Sequence, residues 1–146
     1  MSEVTPRRAL LEAFESNLMR IQRAAGYRTD VGGVVTLEPG QLDPEAVDDG
    51  LAIYIDRQER PSEPAVSRTH RLTTVGVIVK RKAFGTGESL LDVVLDDIER
   101  SVLDRQRTWP KGHTAPAYLD MEPLRPPAGA DWIGARIRFT STIPIC

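Results

Sequence analysis

The chain has 146 residues, 40% of them hydrophobic and 27% charged, with a formal net charge of -2 at pH 7. That length suits a single domain whose core needs neither disulfides nor metals, and the near-balance of charge argues against a general binder of nucleic acid. The lone cysteine, Cys146, permits no disulfide within the chain. The opening residues lack the uninterrupted apolar stretch of a secretory signal, and no apolar run approaches the roughly 20 residues of a membrane helix. The expectation is one soluble, intracellular domain spanning residues 1–146.

Thr5 followed by Pro6 reads as a helix start, with threonine as N-cap and proline at the first helical position. Leu10, Phe14, Leu18, Ile21 and Ala25 then recur at spacings of three and four, an amphipathic stripe. Gly26 follows as the expected left-handed stop. The stretch Tyr27 to Glu38 reads as two short strand pieces around Gly32-Gly33, a pair that favours a tight hairpin turn. A phosphate cradle would need strand, glycines and helix in that order. Here the order is helix, glycine, strand, so these glycines are expected to bind nothing.

Glu38 to Gly50 is irregular, with one helical turn expected at Pro44 to Asp48. Its acids Asp43, Glu45, Asp48 and Asp49 lack the spacing and central glycine of a calcium loop. Leu51 to Asp56 reads as a short buried strand. Gln58 to His70 is polar and proline-bearing, a mobile loop or a long hairpin tip. Arg71 to Lys80 reads as a longer strand with Val75, Val77 and Val79 on one face. After it comes Lys80-Arg81-Lys82, then Phe84 and the pair Gly85-Thr86-Gly87. This run has the strand–glycine–helix order that anion sites use. It lacks the third glycine and the acidic partner of a dinucleotide site, so it is a connector or an interaction loop.

A second helix is expected to begin at the capping-box pattern Ser89-Leu90-Leu91-Asp92. Leu91, Val94, Leu95, Ile98 and Val102 form its buried stripe, and Asp92, Asp96, Asp97, Glu99 and Arg100 its wet face. Arg107 to Asp131 is proline-rich, with one strand expected at Ala117 to Met121. Trp132 to Ile145 alternates most clearly. Ile133, Ala135, Ile137, Phe139, Ile143 and Ile145 fall on one face, and Gly134, Arg136, Arg138, Thr140 and Thr142 on the other. Pro144 marks an edge or terminal position. The loops Gln58 to Ser67 and Arg107 to Pro116 offer little apolar surface and are expected to be weakly ordered in a free subunit.

The sum is an α+β two-layer domain: a mostly antiparallel mixed sheet covered on one face by two amphipathic helices. His70 and His113 have no histidine or cysteine at metal-ligand spacing and read as solvated loop residues. No nucleophile elbow is present, and Cys146 has no histidine near it in sequence. The expectation is a protein that is not an enzyme and has no cofactor and no metal.

Three stretches carry a resemblance. The opening helix runs into "AAGYRTDVGGVV"; "LAIYIDRQE" is followed by the long strand "HRLTTVGVIVK"; and "LLDVVLDDIERSVL" is followed by "DWIGARIRFTSTIPI". In order and texture the chain resembles the tail terminator, or tail completion, proteins of long-tailed bacteriophages. The resemblance implies a structural virion protein, made in the host cytoplasm. It would form a homo-hexameric ring on the head-proximal end of the tail tube, stop tube polymerisation and offer the head-docking surface. Its partners would be further copies of itself, the tail tube protein and the head–tail connector protein, with no membrane and no sequence-specific contact to nucleic acid. Lys80, Arg81, Lys82, Phe84, Arg136 and Arg138 are the expected subunit or partner contacts. The alternatives are a head–tail connector, a tail tube subunit, or a small ligand-binding domain or enzyme using the Gly85–Gly87 turn.

Overall fold

The computed structural model describes residues 4–38, 49–82, 87–104, 107–124 and 131–145, with side chains of the second helix described from residue 91. Two helices, α1 (Pro6–Leu18) and α2 (Gly87–Val102), lie on one face of a five-stranded sheet. The strands are β1 (Val35–Thr36), β2 (Asp49–Glu59), β3 (His70–Lys82), β4 (Ala117–Leu124) and β5 (Trp132–Pro144), in the spatial order β1-β2-β3-β5-β4. β1 runs parallel to β2, and every other pairing is antiparallel. This is the α+β two-layer domain expected from the sequence.

The alternation of the strands dictates the core. Val75, Val77 and Val79 of β3 face the helices beside Ala135, Ile137 and Phe139 of β5, with Leu51 and Ile53 of β2 in register with Val79 and Val77. All of these side chains are fully buried. From the helix layer Leu10, Phe14 and Leu18 meet Val94, Ile98 and Val102 in the same cluster. Phe14 sits at its centre, with ring centroids 5.0 Å from Trp109 and 5.9 Å from Phe139. Pro144 ends β5, paired with His70 of β3, a terminal position as expected.

α1 begins as its sequence implies: the Thr5 hydroxyl accepts the Arg8 N–H at 3.2 Å, and Pro6 occupies the first turn. Its end differs. The helix stops at Leu18 rather than Ala25: the Arg20 and Ile21 N–H groups turn back to the Asn17 and Leu18 carbonyls, and carbonyls at this end also meet other segments. The Ser101 hydroxyl donates to the Asn17 carbonyl at 2.7 Å, and the Gly32 N–H donates to Ile21 at 3.0 Å. Ile21 keeps its place in the core although it lies past the helix, whereas Ala25 is exposed. Gly26 is left-handed, with φ 94°, but it closes a short 3-10 turn at Arg23–Ala25.

The expected hairpin around Gly32-Gly33 is not formed. Val31–Gly33 is a 3-10 turn, and among the described residues of this segment the two-residue β1 is the only strand. The physical reason is a close approach. A Cβ on Gly32 would lie 2.4 Å from the Leu18 carbonyl oxygen, so only glycine lets this turn seat against the end of α1.

Several boundaries also move. β2 and β3 are longer than expected, running to Glu59 and from His70 to Lys82. Ser89 lies inside α2, which begins two residues earlier. Gln58 and Glu59 belong to β2, Pro61 is buried, and Pro64–Val66 forms a turn, so the segment 58–70 is a hairpin tip. Within Arg107 to Pro116, Thr114 is bonded to β5: the Thr142 N–H donates to Thr114 Oγ1 at 2.8 Å and the Ser141 hydroxyl to the Thr114 carbonyl at 2.7 Å. His113, expected to be solvated, places Nε2 3.0 Å from the Pro6 carbonyl oxygen at the start of α1. The helical turn expected at Pro44 to Asp48 lies outside the described residues.

Candidate functional site

The face of the sheet away from the helices carries the largest group of interacting charges. Strand register builds it. Arg136 and Arg138, two apart on β5, point to the same side and stand opposite Glu122 and Asp120 of β4. On the other flank they stand opposite Ile78 and Gly76 of β3, and Gly76 in turn stands opposite Tyr54 of β2. The result is a cross-strand charge lattice, the sheet counterpart of the helical i,i+4 pair.

Arg138 is the hub. Its guanidinium forks onto both carboxylate oxygens of Asp120, with Nε to Oδ1 at 2.8 Å, and reaches Asp56 Oδ2 at 3.1 Å. Those hydrogen bonds raise its pKa further above the ordinary arginine range, Asp120 first and then Asp56. In return the Arg138 hydrogen bond holds the Asp120 carboxyl below its ordinary value. Arg136 bonds Glu122 Oε2 at 2.8 Å, and its pKa is raised chiefly by a hydrogen bond to the Tyr54 hydroxyl. The Tyr54 ring lies flat across Gly76: a Cβ there would fall 2.4 Å from the ring. Glycine thus supplies the floor on which the tyrosine reaches the arginine.

Of the residues expected at the contact surface, Arg136 and Arg138 come together in this lattice, and the basic run is elsewhere. Lys80 is only 3% exposed, in register with Gly50 and Gly134. The Arg81 side chain is 11% exposed and pairs with Asp49 across β2 and β3 at 3.2 Å. Lys82 stands exposed at the end of β3. Phe84, Gly85 and Thr86 lie outside the described residues. The sequence reading missed Tyr54, Asp56, Asp120 and Glu122. A signal for two of them was present: Asp120-x-Glu122 and Arg136-x-Arg138 repeat opposite charges at the strand period.

Asp97 also requires correction. Expected on the wet face of α2, it is fully buried. Its carboxylate accepts the Thr29 N–H at 2.8 Å, the Thr29 hydroxyl at 2.7 Å and the Arg28 N–H at 3.0 Å. A buried carboxylate is stable only when so satisfied. This clasp holds the segment after α1 against α2, and the wet helix face therefore excludes Asp97.

Among the described residues, no group of three or more histidine, cysteine, aspartate or glutamate side chains is placed to hold a metal, and no helix is long and apolar enough to cross a membrane. The lattice holds paired, solvent-screened charges, with no nucleophile and base in contact among them.

No family model and no curated protein matches this sequence. Among solved structures, the chain is similar in fold to a chain of the virion of a native gene transfer agent (GTA) particle. The TM-score is 0.56 at 14% sequence identity, and the likeness covers 93% of this chain and 98% of that one.

Proposed function

We propose that this chain is a structural virion protein of the tail-terminator kind. It would assemble as a ring on the head-proximal end of a tail tube, halt the tube's growth and present the surface that meets the head. The observation that carries this reading is the end-to-end likeness to a chain of a virion particle, which spans nearly the whole of both chains. The order of helices and strands shared with tail terminators points the same way.

The open sheet face supports it on physical grounds. A wall past which DNA moves must not bind phosphate. Arg136 and Arg138 are committed within the sheet to Glu122, Asp120 and Asp56, three carboxylates for two guanidinium groups. A ring repeated by rotation needs two different patches on each subunit. The Lys82 end of β3 is one such patch, because its charge stands at the surface.

The test is complementation. Loss of the protein is expected to yield tails of uncontrolled length that fail to join heads. A Lys82→Glu variant should fold normally, since an exposed charge contributes little to stability, but should restore fewer joined particles. Tails of normal length in the complete absence of the protein would remove the function. Purified protein that polymerises into tubes by itself would mark a tube subunit instead.

A further inference from the structure

Three arginines of the helix layer behave unlike Arg136 and Arg138 of the sheet. Arg20 follows α1, Arg100 lies in the last turn of α2, and Arg107 comes five residues after α2. All three line one recess of about 580 Å³ beside Tyr27. Each guanidinium carries five N–H donors. Among the described residues, the three side chains make a single hydrogen bond, from Arg107 Nη2 to the Tyr27 hydroxyl at 3.3 Å. Arg100 stacks over the Tyr27 ring at 5.1 Å, and its nearest carboxylate, Asp97, is 3.9 Å away with its oxygens already taken by Arg28 and Thr29. Arg107 Nε is buried with no acceptor, 3.7 Å from Asp104. Arg20 has no side-chain partner among these residues.

Balancing the two helix ends does not account for this surplus. A helix C-terminus carries about half a negative charge, which one nearby cation offsets. It does not fill the fork of a guanidinium. Native structures rarely leave buried donors unpaired, and Arg107 Nε is such a donor. Arg138 on the sheet, with three hydrogen bonds to two carboxylates, shows what a satisfied arginine looks like in the same molecule.

The missing acceptor has a definable shape. Arg20 and Arg107 also line an adjoining recess of about 470 Å³ that runs past Ser16, Trp109 and Pro110. The two recesses share Arg20 and Arg107; Asp104 is the one carboxylate in the lining of the first, and Met19 and Trp109 add apolar surface. A single small anion would fill one part of the pair. Carboxylates match the planar fork of arginine bidentately, and an extended chain can place several of them at once.

We propose that this pair of recesses is a docking site for an extended acidic segment of a partner protein, with its carboxylates held by Arg20, Arg100 and Arg107. It lies in the helix layer, apart from the sheet-face lattice, and does not depend on the virion reading.

The experiment uses the whole chain and a fluorescein-labelled peptide of alternating glutamate and alanine, followed by fluorescence anisotropy at low ionic strength. Inorganic pyrophosphate is titrated separately. Saturable peptide binding is expected. It should weaken about tenfold or more in Arg20→Glu and in Arg100→Gln, as loss of a bound charge pair does, and be unchanged in Arg136→Gln. If Arg100→Gln melts early through loss of its stacking on Tyr27, Arg20→Glu carries the test from its exposed position. Peptide binding that is absent, or equal in Arg20→Glu and the unaltered protein, would overturn the site. Binding of pyrophosphate without binding of the peptide would overturn the acidic segment as its occupant.

Discussion

The two faces of the sheet are made from the same strands yet follow opposite rules. Toward the helices, alternate residues of β2, β3 and β5 are aliphatic or aromatic and fully buried. Away from them, Asp56, Asp120, Glu122, Arg136 and Arg138 meet one another across the strands at 2.8 to 3.1 Å, among uncharged neighbours such as Gly76 and Ile78. The first face derives its stability from area removed from water, worth about 25 cal/mol per Å². The second gains little, because water screens its ion pairs. Stability and surface chemistry are therefore separable: the helix side sets whether the chain folds, and the other side can be altered with little effect on folding.

Mutations should expose that asymmetry. Phe139→Ala removes a ring that contacts both Phe14 and Tyr118, and chemical denaturation should show a loss of about 3–5 kcal/mol. An undiminished midpoint would mean that the face is not the core. Asp97→Ala comes next. It leaves the Thr29 and Arg28 N–H groups without their acceptor, at a cost of about 3 kcal/mol, and hydrogen exchange at both amides should accelerate. Gly32→Ala forces a methyl against the Leu18 carbonyl and should cost about 1–3 kcal/mol, read from the same denaturation curves.

The smallest effect belongs to the open face. Arg138→Gln should shift the melting temperature only slightly at neutral pH. Its pH dependence is more telling. The Asp120 carboxyl is held below its ordinary value of 3.8 in the folded chain, so the unfolded chain takes up the proton first as pH falls. The stabilisation from the pair is present above about pH 3.8 and is lost as the pH drops through the lower folded value. The gap between the native protein and Arg138→Gln should close under acid. A gap that persists after acid has protonated the unfolded chain's carboxylates and the fold's own would show that the Asp120 carboxylate does not titrate with the pair.

Much of this contrast is legible in the sequence, because period-two alternation survives in β3 and β5 whatever surrounds them. Val75, Val77 and Val79 announce a core face by residue type alone. The start of α1 is equally local, since Thr5 and Pro6 act within one turn. What escaped the sequence depends on partners far along the chain. Asp97 is an ordinary helix-surface aspartate until Arg28 and Thr29, nearly seventy residues earlier, fold onto it. Gly32 reads as a turn residue because nothing local reveals that Leu18 approaches it. The recess at Arg20, Arg100 and Arg107 joins three separate segments, and no spacing of arginines in the sequence marks it.

The strand order has a consequence for how the chain comes off the ribosome. β4 is made before β5, yet β5 lies between it and the rest of the sheet. Until Trp132 to Pro144 have left the exit tunnel, the nascent Ala117–Leu124 segment has neither of its edges occupied, at a time when Tyr118, Leu119 and Met121 are open to any passing strand. Its own composition guards that interval: Asp120 and Glu122 repel a like segment on a neighbouring nascent chain, and Pro123 withholds one amide from the edge. The acids that later meet Arg136 and Arg138 thus act first as sentries during synthesis.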